Sequence, residues 1–161
     1  MNFIEIPKVE LHIHLDCSLS FDVVKKINPN ITKPQFIDQF IGIKCNSLKD
    51  YIKCADRAVE LMQTKKELEL VTSDLFKQLK EDNVIYAEIR FAPLLHLDKG
   101  LSSHEVVKII SQITKKESSK TGIDAGLILC TLRHYSEQQS METVNLVNDF
   151  KGSNVIGFDL A

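Results

Sequence analysis

From Val9 to Asp16, apolar and polar residues alternate without a break. Val9, Leu11, Ile13 and Leu15 take one set of positions, and Glu10, His12, His14 and Asp16 take the other. Strict alternation predicts a strand, in which residues two apart point the same way. The polar set would then share one face, whereas a helix would spread His12 and His14 around its axis. Beyond this strand the pattern changes period. Phe21, Val24 and Ile27 have helical spacing and stop at Asn28-Pro29-Asn30. Residues 31–46 are mixed, with an apolar cluster at Phe36, Ile37, Phe40 and Ile41, and predict a small helix or lid-like excursion. Ser47 is placed as the N-cap of a helix running to about Gln63.

Three capping boxes punctuate the rest of the chain. Thr64 with Glu67, Ser102 with Glu105 and Ser136 with Gln139 each open a helix, ending near residues 81–83, 120 and 150. Leu68, Val71, Leu75 and Leu79 form the apolar stripe of the first. Strands are predicted at 84–92, 125–132 and 155–160. Strands alternating with amphipathic helices specify parallel β/α units. No glycine-rich phosphate fingerprint follows the first strand, which argues against a dinucleotide fold. The expected fold class is α/β, a (β/α)8 TIM-type barrel. A complete one needs eight strands, so residues 1–161 are expected to supply the first four β/α units, as the N-terminal part of one barrel domain cut near strand four.

Composition narrows the partners. The chain has 161 residues, a net charge of −2 and no Lys/Arg run, which gives no reason to expect nucleic acid. No membrane span and no signal-like leader are legible. Cys17, Cys45, Cys54 and Cys130 are scattered without a C-x-x-C pair, as in a reducing compartment, so a cytoplasmic location is expected.

The chemistry concentrates on the first strand. Two neutral imidazoles on one face suit a borderline cation such as zinc, with His12 and His14 as ligands. Asp16 could ligate, orient a substrate hydroxyl or act behind the ligands. Glu88 and Arg90 share a face of the second strand and are expected to form a structural ion pair, with each other or with Glu10. Asp159 is placed as a supporting acid at the end of the fourth strand. His96 and His134 follow strands two and three and read as loop histidines. His104 reads as solvent-facing, and Cys17 as a small packed thiol. Leu48, Tyr51, Ile52 and Ala55 form one apolar helical stripe, which reads as core or as a pocket wall.

Taken together, these stretches resemble the adenosine deaminase family of metal-dependent amidohydrolases. The motif from Pro7 to Asp16 carries most of the likeness. Ser47 to Ile52, Tyr86 to Pro93, Cys130 to His134 and Asp159-Leu160-Ala161 agree in order and spacing. The resemblance implies one zinc ion held in part by His12 and His14, and Asp16 on the sugar of a nucleoside. It implies Leu48, Tyr51, Ile52 and Leu132 as walls of a purine pocket. The implied reaction is hydrolytic deamination of adenosine to inosine (or of 2'-deoxyadenosine to 2'-deoxyinosine), a step of purine salvage. Two positions depart from the family pattern: Cys17 stands where Gly is usual, and Ala55 where an aromatic is common. The family's third zinc histidine and its catalytic residues are expected beyond Ala161, so residues 1–161 alone are expected to be inactive. The expected partners are a purine nucleoside and either the second half of the barrel or another copy, joined through the open edge. The competing readings are a non-catalytic half-barrel, another amidohydrolase such as an adenine deaminase, and a lactamase-type metallo-hydrolase sharing the His-x-His-x-Asp pattern.

Overall fold

Each helix begins where a side chain can take over an orphan backbone donor. The computed structural model describes residues 3–41, 45 and 47–161, of which 4, 48, 49 and 51 are described by backbone alone. The elements in order are β1 (Lys8–His14), α1 (Phe21–Ile27), α2 (Lys33–Phe40), α3 (Leu48–Glu60), α4 (Lys65–Glu81), β2 (Val84–Phe91), α5 (Ser103–Thr121), β3 (Asp124–Thr131), α6 (Glu137–Asp149) and β4 (Val155–Leu160). Thr64/Glu67, Ser102/Glu105 and Ser136/Gln139 form reciprocal capping boxes, and Ser47 accepts from the Asp50 amide. A fourth box, Thr32 with Gln35, opens α2 and has a proline in its first turn. This gives residues 33–40 a definite helix within the stretch read from sequence as a small helix or lid.

The four strands are parallel and lie in chain order, β1-β2-β3-β4. The helices pack on the sheet face that carries Ala87, Ile89 and Phe91 of β2 and Leu127 and Leu129 of β3, all buried. Against them lie Val71, Leu75, Phe76 and Leu79 of α4 and Val106 and Ile110 of α5. Each large side chain so buried contributes about 1.5–3 kcal/mol. The other face of the sheet is concave-side surface, as in the first half of a TIM-type barrel. Val9, Leu11 and Ile156 remain more than half exposed.

One sequence expectation fails here for a clear reason. Val9 stands opposite Tyr86, Glu10 opposite Ala87, Ile13 opposite Ile89 and His14 opposite Arg90, with an irregularity between Glu10 and Ile13. Three residues of β1 therefore span two of β2, which is a β-bulge. Parallel partners point to the same side, so Glu10 faces the helices with Ala87 and Ile13. It lines a groove with Leu75, Gln78 and Leu79 of α4. Glu10 does not share the face of His12 and His14. Asp16 also leaves the strand and sits in a 3-10 turn, Leu15–Cys17. A matching irregularity in β4 lets Val155 pair with Leu127 and Gly157 with Ile128. At the foot of the inner face, Gly126 leaves no room for a side chain, because a Cβ there would collide with Ile156.

Candidate metal and substrate site

β1 delivers His14 at its carboxyl end, and the following turn is pinned from below. Leu15 is fully buried, and the Ser18 hydroxyl donates to the His14 carbonyl at 2.5 Å. The bulge returns His12 to the inner face. There His12 Nε2 lies 3.3 Å from His14 Nε2. Two ligands on a tetrahedral ion with bonds of about 2.0–2.1 Å also stand about 3.3 Å apart. The two ring nitrogens are therefore spaced as two corners of such a site.

The surroundings keep the His12 ring neutral. Arg90 on β2 donates from Nη1 to His12 Nε2 at 2.7 Å, with Nδ1 at 3.2 Å. Its positive charge, followed by desolvation and His14, holds the His12 pKa below the ordinary imidazole value. A neutral ring suits metal ligation, although the same lone pair now accepts from Arg90 and would have to be released. Arg90 is itself buried and ion-paired with Asp159 of β4. The expected pairing of Arg90 with Glu88 or Glu10 is thus replaced. Glu88 accepts instead from the Tyr86 hydroxyl at 3.0 Å, since both lie on the inner face two residues apart. Glu10 is on the other side of the sheet.

Asp16 is buried, with its Oδ1 3.8 Å from His14 Nδ1. Among the described residues, His14, Asp16 and Cys17 bring one donor atom each within 4.8 Å of one another. Cys17 is exposed, contrary to the packed thiol expected, because the 3-10 turn rotates it outward after the strand ends. Partial burial, which strips water from the thiolate, and then the Asp16 carboxylate nevertheless push its thiol up to about 12. It is a protonated, poor ligand at neutral pH. The donor set fits zinc through His12 and His14, with oxygen donors at hand.

Beside this turn opens a cleft of about 130 Å³ lined by Cys17, Leu19, Phe40, Ile41, Cys54, Ala55 and Ala58. Small residues of α3 make its floor. Of the predicted pocket walls, Ile52 is half exposed and does not line this cleft. The side chains of Leu48 and Tyr51 lie outside the described residues. Leu132 is half-buried, one residue past β3 on the same rim. His134 and His104 are exposed, and His104 lies against Phe150 at 4.8 Å between ring centres. His96, read from sequence as a loop histidine, is completely buried. A histidine flanked by Leu95 and Leu97 was the available signal.

A four-stranded parallel sheet with alternating helices and polar residues at the carboxyl ends of its strands defines the class: the first half of a TIM-type barrel. The adenosine deaminase family profile matches residues 7–161. The chain belongs to the adenosine deaminase family. It is 36% identical over 169 residues to an adenosine deaminase of Clostridium perfringens, covering 100% of this chain and 51% of that one. Its fold matches the crystal structure of arabidopsis ADAL complexed with IMP at a TM-score of 0.82 and 23% identity, over 99% of this chain and 50% of that one. A Burkholderia ambifaria amidohydrolase with bound Zn matches at a TM-score of 0.79 and 18% identity, over 99% and 45%. The chain thus spans about half the length of the relatives it matches.

Proposed function

We propose that residues 1–161 form the first half of a zinc-dependent adenosine deaminase barrel, which deaminates adenosine to inosine or 2'-deoxyadenosine to 2'-deoxyinosine. The observation that carries this reading is the 3.3 Å spacing of His12 Nε2 and His14 Nε2 at the carboxyl end of β1, in a chain of this family. His12 and His14 hold the metal. Zinc, when bound, supplies Lewis acidity and a nucleophile from water at neutral pH. Arg90 and Asp159 steady the His12 ring from the side. Asp16 takes a sugar hydroxyl, its buried carboxylate being a strong acceptor in a water-poor corner. The purine enters the cleft beside Cys17, Ala55 and Ala58, with Leu48, Tyr51 and Leu132 as further walls and Ile52 standing outside it.

The exposed apolar residues of the inner face, Val9, Leu11 and Ile156, are the surface that a second half of the barrel covers. The free thiols suit a reducing cytoplasm. Among the described residues, no helix is long and apolar enough to cross a membrane. The test is to join residues 1–161 to the second half of an adenosine deaminase relative and to assay adenosine, 2'-deoxyadenosine and adenine with and without zinc. Zinc-dependent appearance of inosine or 2'-deoxyinosine supports the reading. Turnover of adenine alone moves the assignment to an adenine deaminase, and turnover of none leaves a non-catalytic half-barrel.

A further inference from the structure

The bulge in β1 turns Glu10 out of the barrel interior and into a groove of about 400 Å³ on the helix side. Leu75 and Leu79 of α4, with Leu19 and Val84, are buried in its floor. Ile13, half-buried, continues the apolar strip along β1. The other charged and amide side chains of the groove are already engaged. Asp82 pairs with Lys8 at 3.1 Å. Gln78 spends its two amide hydrogens on the Ser18 carbonyl and the Asp74 carboxylate. Glu10 is half-buried, and among the described residues its carboxylate has neither an ion pair nor a hydrogen bond.

The sheet is also open at this place. β1 has one neighbour, β2, so its other edge leaves backbone donors and acceptors unpaired. In an eight-stranded barrel that edge is where the eighth strand closes, and the helix joined to that strand lies on the outer side. The chain supplies four strands and spans about half the length of its relatives. An apolar helix face laid over Leu75 and Leu79 would also strip water from Glu10. A carboxylate so enclosed stays charged only beside a cation. We infer that this groove seats the last helix of the barrel's second half, through an apolar face that carries a Lys or Arg against Glu10. The inference rests on the half-barrel reading and not on the reaction. Cys17, Leu19 and Ile41 line both this groove and the cleft beside the metal site. The seated helix therefore backs a wall of the substrate cleft.

The test uses residues 1–161 joined to the second half of the Clostridium perfringens relative, unfolded in urea. The parent should unfold in one transition, reported alike by probes in both halves. Glu10→Lys should lower the folding equilibrium constant by roughly 10–100-fold, the range of a hydrogen bond between charged groups. Each Lys and Arg of the last helix is then changed to Glu, alone and together with Glu10→Lys. One of these reversals should be damaging alone and should restore most of the loss in the pair. Where Glu10→Lys by itself does not fold, recovery of a folded barrel by that reversal is the supporting result. No loss in Glu10→Lys, or a loss that no reversal on that helix restores, overturns the inference and leaves the half-barrel reading standing. Separate unfolding of the two halves in the parent overturns both. Sedimentation of residues 1–161 alone tests the rival occupant. A dimer that Glu10→Lys disperses would make a second copy the partner of this groove and overturn the inference.

Discussion

Arg90 of β2 reaches past β3 to pair with Asp159 of β4, while its other Nη donates to His12 of β1. One guanidinium therefore connects three of the four strands at the rim where the site lies. Cys130 of β3, beside the same guanidinium, is buried, and its thiol pKa is raised chiefly by that burial. Arg90 is buried, whereas the Asp159 side chain is about one-third exposed. We expect Asp159→Ala to destabilise the fold by about 1–2 kcal/mol, because Arg90 is left charged and buried while water offsets part of the lost attraction. Urea unfolding of Asp159→Ala and of an Arg90→Met/Asp159→Ala double variant checks this. The double variant should recover part of the loss, and equal losses in both would refute the pair's role.

Metal binding gives the second prediction. In the completed barrel, replacing both His12 and His14 by Ala should lower zinc affinity by more than about 100-fold, beyond what loss of an outer partner costs. Metal content after dialysis against a competing chelator is the measurement. Unchanged zinc in the double variant would remove these residues from the ligand set.

Cys17→Ser should change little. Its thiol is pushed up to about 12 before any metal binds, while the His12 ring beside Arg90 is already neutral and the better donor. Zinc content and turnover should stay within about threefold of the parent, since removal of a metal ligand costs far more. A loss as deep as that of His12→Ala would make Cys17 a ligand after all.

The pH dependence of stability follows from His96. Its folded pKa lies below the unfolded value of about 6.5, with burial as the main cause. Between the two values the unfolded chain binds a proton that the folded chain refuses, so stability falls as pH drops below about 6.5 and levels off beneath the folded pKa. His96→Phe should flatten that segment of the profile in thermal melts from pH 7.5 to 5. A profile identical to the parent's would show that His96 is not held neutral. The loss near pH 4 should persist. The Ser102 amide, first among its hydrogen bonds, holds Glu105 below its usual value, and that contribution vanishes only as the carboxylate protonates.

Residues 1–161 alone should not deaminate adenosine. His12 and His14 are two ligands, whereas a catalytic zinc takes about three from protein. Following absorbance on conversion to inosine with added zinc is sufficient. Clear turnover by a monodisperse 161-residue protein would refute the half-barrel proposal.

The element order was legible because capping boxes and apolar periods are local. Thr64/Glu67, Ser102/Glu105 and Ser136/Gln139 needed only four residues each to declare a helix start. The faces of β1 were less legible, because a bulge is a property of pairing. Nothing in Glu10-Leu11-His12 announces that β2 will match three residues with two. The partner of Arg90 was missed for a related reason: Asp159 lies 69 positions further along, and only the order of the strands brings it across. His96 reads as a loop residue in one dimension because its burial depends on Gln63 tying the loop down.

The irregularity in β1 makes the strand change parity halfway. Below it odd-numbered residues look inward, and above it even-numbered ones do. Leu11 and His12 are the adjacent pair at the crossover, so an aliphatic floor and an imidazole can occupy consecutive positions of one strand without either turning to the helices. Deleting Leu11 would restore plain alternation, with Glu10 still opposite Ala87, Ile13 opposite Ile89 and His14 opposite Arg90. The extra residue of the bulge thus leaves the height of the imidazoles unchanged and adds an aliphatic side chain to the inner face directly below them.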